Sequence, residues 1–188
     1  MTAHQPVPTF TLDLAAIKLR ARANLDQGAV TSSYALDRQN VLALLNDALA
    51  AELVCVLRYR NHHFMSAARG GIAGATVKGE LLLHANQELA HADLLAERIT
   101  QLGGVPDFAP QRLTARSATE YAESDSLRGM LTEDLVAERI AVESYGALVR
   151  FVGSHDPTTR QLLEGILADE EGHADELADF LKRLPIDG

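Results

Sequence analysis

Cysteine is nearly absent from this chain, with Cys55 the single example among 188 residues. One thiol excludes an internal disulfide and any cysteine-rich metal site. Tryptophan is missing altogether and aromatics make up only 5% of the sequence, so a core has to be built from aliphatic side chains. Runs of β-branched residues are few, whereas Ala, Leu and Glu recur throughout, the composition of an all-helical protein. Basic residues are outnumbered, 17 Lys and Arg against 26 Asp and Glu, for a formal net charge of −9. A protein whose main business is nucleic acid usually carries the opposite bias, so DNA binding is not expected. Lys18, Arg20 and Arg22 could make a basic arm, but Asp13 and Asp26 nearly balance them. The first ten residues lack the basic-then-apolar order of a secretory signal, and no unbroken apolar run approaches membrane-spanning length. A soluble, cytoplasmic protein without a membrane partner is expected. Its 47% hydrophobic content suits one domain with a sizeable core.

Apolar residues at alternating spacings of three and four mark four long helix faces. The first, over about 37–65, carries Leu45, Leu49, Glu52, Val56 and Tyr59. The second, over about 75–102, carries Val77, Leu81, His84, Glu88, His91 and Leu95. The third, over about 126–152, carries Leu127, Leu131, Leu135, Glu138, Val142, Tyr145 and Val149. The fourth, over about 157–184, carries Leu163, Ile166, Glu170, His173, Leu177 and Leu181.

A short Gly-rich link over 66–74 makes the first two helices antiparallel neighbours, and Gly103-Gly104 followed by Pro106 stops the second. Asp156-Pro157 reads as an N-cap with Pro at the first helical position, so the last two helices form another hairpin. Each helix is roughly 40 Å long at ~1.5 Å per residue. The segment 103–125, without strong periodicity, is long enough to run the height of the bundle at ~3.3 Å per residue. The expected fold is all-α: a bundle over 37–188 made of two antiparallel αα-hairpins joined by a long crossover, the connectivity of ferritin-like bundles. Residues 1–36 form an N-terminal extension with a short helix near 12–25.

Four of these core stripes contain a carboxylate near mid-helix: Glu52, Glu88, Glu138 and Glu170, with His91 and His173 beside two of them. Burying four carboxylates together without compensation is prohibitively unfavourable, because each loses hydration and repels the others. Two divalent cations would neutralise them. Glu-x-x-His places both side chains on one helix face, where they can chelate a single ion. That spacing occurs only twice, at Glu88–His91 and Glu170–His173. Carboxylate with imidazole suits iron or manganese, whereas structural zinc more often recruits cysteine.

An internal repeat adds to this. Glu88-Leu-Ala-His91-Ala-Asp93-Leu-Leu95 parallels Glu170-Glu-Gly-His173-Ala-Asp175-Glu-Leu177, and Glu52, Val56 and Tyr59 parallel Glu138, Val142 and Tyr145. One lone Glu and one Glu-x-x-His per hairpin is what a two-metal site on a pseudo-twofold axis requires, and it is the ligand set of di-iron and di-manganese carboxylate bundles.

From about 37 to 184, most closely around Asp169-Glu170-Glu171-Gly172-His173 and Glu52-Leu-Val with Tyr59 and His62, the chain resembles bacterioferritin. The resemblance implies Fe(II) oxidation by O2 or H2O2 at two iron ions per subunit, manganese being possible. It implies Glu52 and Glu138 as terminal ligands, Glu88 and Glu170 as bridges, His91 and His173 on one metal each, and Tyr59 beside the site. Leu89 stands where bacterioferritin has its haem-ligating Met, so no haem is expected. The chain runs out soon after its fourth helix, without the short fifth helix of 24-subunit shells, and it carries an N-terminal extension. Both features look like Dps-type mini-ferritins, which favours a homo-oligomer of twelve subunits over twenty-four.

The competing function is a di-metal enzyme without storage, either a manganese catalase or a di-iron oxygenase. Rubrerythrin-type peroxidases need a cysteine-rich module that one cysteine excludes, and a purely structural bundle has no use for six buried ligands. Outside the six, His84 and Tyr145 read as ordinary core residues, Cys55 as a packed thiol, and His62, His63 and His155 as exposed residues near helix ends.

Overall fold

The computed structural model describes residues 10–184, and among them the only regular structure is helical. In chain order the helices are α1 (Leu14–Arg20), α2 (Arg38–Gln101), α3 (Pro110–Arg116), α4 (Leu127–Val152) and α5 (Pro157–Arg183), with a 3-10 turn at Leu25–Gln27. α2 is two helices in one. Gly71 alone leaves helical geometry, at φ 53° and ψ −127°, a region that favours glycine. The chain reverses there, and Arg60 Nη2 then donates to Asn86 Oδ1 and His63 Nδ1 meets the Lys78 carbonyl across the two limbs. A Cβ on Gly74 would lie 1.9 Å from the Ser66 carbonyl oxygen, so the closeness of the limbs also depends on glycine. The expected link over 66–74 is therefore mostly helix, with its turn confined to one residue. Glycine composition marked the reversal correctly but overstated its length.

Side-chain caps set the other ends. Asp37 accepts from the Gln39 and Asn40 amides, Ser126 from Gly129, and Asp156 from Thr159, satisfying donors that a helix start leaves free. The crossover over 103–125 is not plain coil, since it contains α3. Seven residues are too few to display a helical stripe. Leu113 is the one buried residue of α3, and it packs with Ala50 and Val54 on the first limb of α2. Asn46 anchors the crossover by accepting from the Asp107 amide and donating to the Val105 carbonyl. In the segment before α2, α1 buries nothing, while Val30, Tyr34 and Leu36 pack against the bundle core.

Besides the small cluster under α3, the core has two main pieces. One joins Leu45, Leu49, Leu95, Ile99, Leu163 and Ile166; the other joins Tyr59, Val77, Leu81, Leu127, Leu131 and Leu177. They occupy opposite ends of the bundle, and the polar residues at mid-helix lie between them. One stretch of α2 is apolar enough, by length and composition, to cross a membrane, yet half of it is buried in the bundle, as expected of a core helix.

Candidate metal centre

Mid-bundle, each of α4 and α5 and each limb of α2 delivers a carboxylate. Glu52 and Glu88 come from the two limbs, Glu138 from α4 and Glu170 from α5; His91 and His173 follow Glu88 and Glu170 by one turn. All six are buried, and they form two overlapping groups. Glu52, Glu88, His91 and Glu170 can each bring one ligand atom within 4.8 Å of the others, and so can Glu88, Glu138, Glu170 and His173. Glu88 and Glu170 belong to both. His91 Nδ1 lies 3.1 Å from Glu170 Oε1 and 3.4 Å from Glu52 Oε2. His173 Nδ1 lies 3.2 Å from Glu88 Oε1 and 3.4 Å from Glu170 Oε2.

These atoms are close but not satisfied. Glu52 Oε2, Glu88 Oε1, both Glu170 oxygens, His91 Nδ1 and His173 Nδ1 are buried without a well-directed hydrogen bond. Native proteins rarely leave buried polar atoms so, and here six of them converge on one point. A carboxylate-rich set with two imidazoles fits a pair of divalent cations.

Protonation tells the same story for the protein without metal. Burial pushes Glu52 and Glu138 well above the ordinary carboxylate range, with the Glu88 charge adding to it. Burial alone would also raise Glu88, but the closely approaching His173 and His91 imidazoles outweigh it and hold that carboxyl below its ordinary value. The two imidazoles answer in kind. Burial opposes their charge, yet the surrounding carboxylates push His173 up to about 12 and His91 up as well.

The outer faces of the two imidazoles are held in place. His91 Nε2 meets Asp169 Oδ2 at 3.2 Å, and His173 Nε2 meets Gln87 Oε1 at 3.2 Å, which aims each Nδ1 at the centre. Two tyrosines cross over. Tyr59 on α2 donates to Glu138 on α4, and Tyr145 on α4 donates to Glu52 on α2. The repeat in the sequence pairs these tyrosines, but the reading above kept only Tyr59 for the site.

Beside the centre lies a second buried charge cluster that sequence reasoning missed. Asp134 sits one turn before Glu138 and accepts from Arg58 Nε at 3.0 Å and from His62 Nδ1 at 2.9 Å. Arg58 also donates to the Glu120 carbonyl. His62 is fully buried, contrary to its expected exposure, because Asp134 gives it a partner inside the bundle. His155 is exposed as expected, and His63 is half-buried against Lys78. His84 is buried; its ring stacks on His173 at 4.2 Å between centroids and meets Tyr59 edge-on at 5.3 Å. Leu89 faces outward, 39% exposed.

A mostly apolar cavity of about 160 Å³ reaches Glu52 and Glu88 from the side, lined by Ala51, Cys55, Thr119, Ile140 and Ala141 among others.

The ferritin-like domain profile matches residues 42–186. This chain belongs to the ferritin-like family. Among the ferritin-like relatives, a nutrient stress-induced DNA-binding protein from Synechococcus is 35% identical over 73% of this chain and 78% of its own length. A bacterioferritin from Streptomyces coelicolor is 32% identical over 77% and 83%. The solved dodecameric thioferritin of Bacteroides fragilis, a bacterioferritin-related protein, superposes with a TM-score of 0.74 at 31% identity, covering 78% of this chain and 87% of that one.

Proposed function

We propose that this protein oxidises Fe(II) at a dinuclear centre within each subunit and stores or detoxifies the ferric product in a hollow homo-oligomeric shell. The observation that carries the reading is the convergence of six buried, unsatisfied ligand atoms between the two apolar core clusters. Glu52 with His91 would hold one ion and Glu138 with His173 the other, while Glu88 and Glu170 would bridge them. Once bound, a pair of Fe(II) ions supplies two electrons together to O2 or H2O2; manganese fits the same donors.

The chain's own residues do the rest. Asp169 and Gln87 orient the imidazoles, Tyr59 and Tyr145 hold one oxygen of each terminal carboxylate, and the apolar clusters keep bulk water from the interior. Ligation requires neutral imidazoles, so loading the centre expels the protons of His91 and His173.

A shell of twelve subunits is favoured by similarity to the dodecameric Bacteroides protein. Apolar residues left exposed on α2, including Leu57 and Phe64 one heptad apart, support burial against other copies. DNA binding, named for the Synechococcus relative, is not proposed for a chain of net charge −9. A second reading, a di-iron oxygenase acting on a small organic substrate, draws on the apolar cavity at Glu52 and Glu88. The two separate in one experiment: Fe(II) and then O2 or H2O2 are added to the metal-free protein, and particle size and retained iron are measured. Ferric ion retained in a large particle supports storage. Two irons bound by a small particle that releases its product would overturn storage in favour of the oxygenase.

A further inference from the structure

His84 carries the same marks as the two imidazoles among the six residues. Its ring is buried, 1% exposed. Its Nε2 meets a carboxylate on the outer side, Glu176 Oε2, at 2.9 Å. In the same way His91 Nε2 meets Asp169 Oδ2 and His173 Nε2 meets Gln87 Oε1, both at 3.2 Å. Its Nδ1, like theirs, is buried without a hydrogen bond. A histidine that binds metal through one nitrogen usually has the other held by such a partner.

Position agrees with these marks. A ring nitrogen of His84 lies within 4.8 Å of ligand atoms of Glu138 and His173, and its ring stacks on that of His173 at 4.2 Å between centroids. Glu176 engages Nε2, which leaves Nδ1 for this group. Tyr59, edge-on to the ring, gives its hydroxyl to Glu138 instead. The internal repeat makes the residue an exception. Four places before Glu88 stands His84, but four places before Glu170 stands Ile166, which packs in the apolar core. Only one half of the repeat supplies an imidazole there.

We infer that His84 Nδ1 is a seventh ligand of the centre, joining Glu138 and His173 on one ion while Glu52 and His91 hold the other. The inference rests on the dinuclear reading. It makes the two positions unequal, with two imidazoles on one ion and one on its neighbour. Imidazole suits iron and cobalt, whereas an oxygen-rich set suits manganese. The His84 side is therefore the tighter position for Fe(II) or Co(II), and the one that discriminates more strongly against Mn(II).

The test uses the full-length assembly and Co(II). Anomalous diffraction from Co(II)-soaked crystals locates the ions and their ligands, and calorimetric titration gives the affinities. Two ions per chain are expected, the one at Glu138 and His173 also bonded to His84 Nδ1. His84→Ile places in this half of the repeat the residue that the other half carries. Losing even an outer partner of a ligand costs roughly 10–100-fold in metal affinity. The variant should therefore bind that ion at least about tenfold more weakly, keep the ion at Glu52 and His91, and prefer Co(II) over Mn(II) less. The unmodified crystals decide the ligand whether or not the variant folds. Two ions with His84 Nδ1 bonded to neither, or equal affinities in variant and unmodified protein, would overturn the inference and leave the dinuclear reading standing. A single ion held by His84, Glu138 and His173, with Glu52 and His91 empty, would uphold the ligand and overturn the dinuclear reading, so the two failures are distinguishable.

Discussion

Asp134 and Glu138 lie one turn apart on α4, both buried, yet their surroundings are of opposite kinds. Asp134 meets an arginine and a histidine, and Arg58 spends its remaining donors on the Glu120 carbonyl and on Cys55 Sγ. That cluster supplies its own counter-charge and leaves one side-chain atom, His62 Nε2, without a hydrogen bond. Glu138 belongs to a cluster of four carboxylates and two imidazoles that leaves six atoms unsatisfied. Both place charge in a low-dielectric interior, at a cost that partners must offset. The difference between them is that between an ion pair that supplies its own counter-charge and a cluster that, on the proposed reading, receives its counter-charge from bound cations.

Mutations should break that contrast in opposite ways. Removing a proposed bridge should have the largest effect: Glu170→Ala should abolish stoichiometric metal binding and rapid Fe(II) oxidation while leaving the helical circular dichroism intact. Removing Asp134 should act on stability instead. Asp134→Ala strands Arg58, which costs about 3–5 kcal/mol, or a melting point lower by roughly 6–20 °C in calorimetry. Glu52→Gln mimics the neutral acid that burial favours, so the metal-free protein should melt no lower than the unmodified one. Equal destabilisation by Asp134→Ala and Glu52→Gln would erase the distinction.

A smaller effect is expected at the far end of the bundle, where Asp156 caps α5 and accepts from Arg98, Thr159 and Tyr34. Burial opposes its charge, but the Thr159 and Arg98 hydrogen bonds prevail and hold its carboxyl below the ordinary value. A depressed folded value means stabilisation that is complete above the unfolded value, ~3.9, and lost as pH falls through the folded one. Asp156→Asn should therefore cost roughly 1.5–3 kcal/mol near neutral pH, with the gap closing on acidification; a gap constant with pH would refute the charge argument. The mildest change, Asp169→Asn, should weaken Co(II) binding by about tenfold through a less well held His91, read by calorimetric titration.

Much of this was legible in the sequence because it rests on periodicity. Glu52, Glu88, Glu138 and Glu170 declare themselves as charges on apolar stripes, and the bundle, its hairpins and its crossover follow from the same stripes and their punctuation. What escaped depends on contacts across helices. Arg58, His62 and Asp134 are unremarkable one at a time, and only packing shows that they meet. Tyr145 carried a signal, its repeat match to Tyr59, but a core tyrosine is the commoner case. Glu176 looks like a solvated face residue until α5 is laid against α2. The crossover helix was too short to show a period.

The central claim is best tested by anaerobic titration of metal-free protein with Fe(II), alongside Glu170→Ala. The account predicts two tightly bound irons per chain, accompanied by proton release, in the unmodified protein and none in the variant. Failure to bind stoichiometrically, or binding that the variant retains, would contradict it.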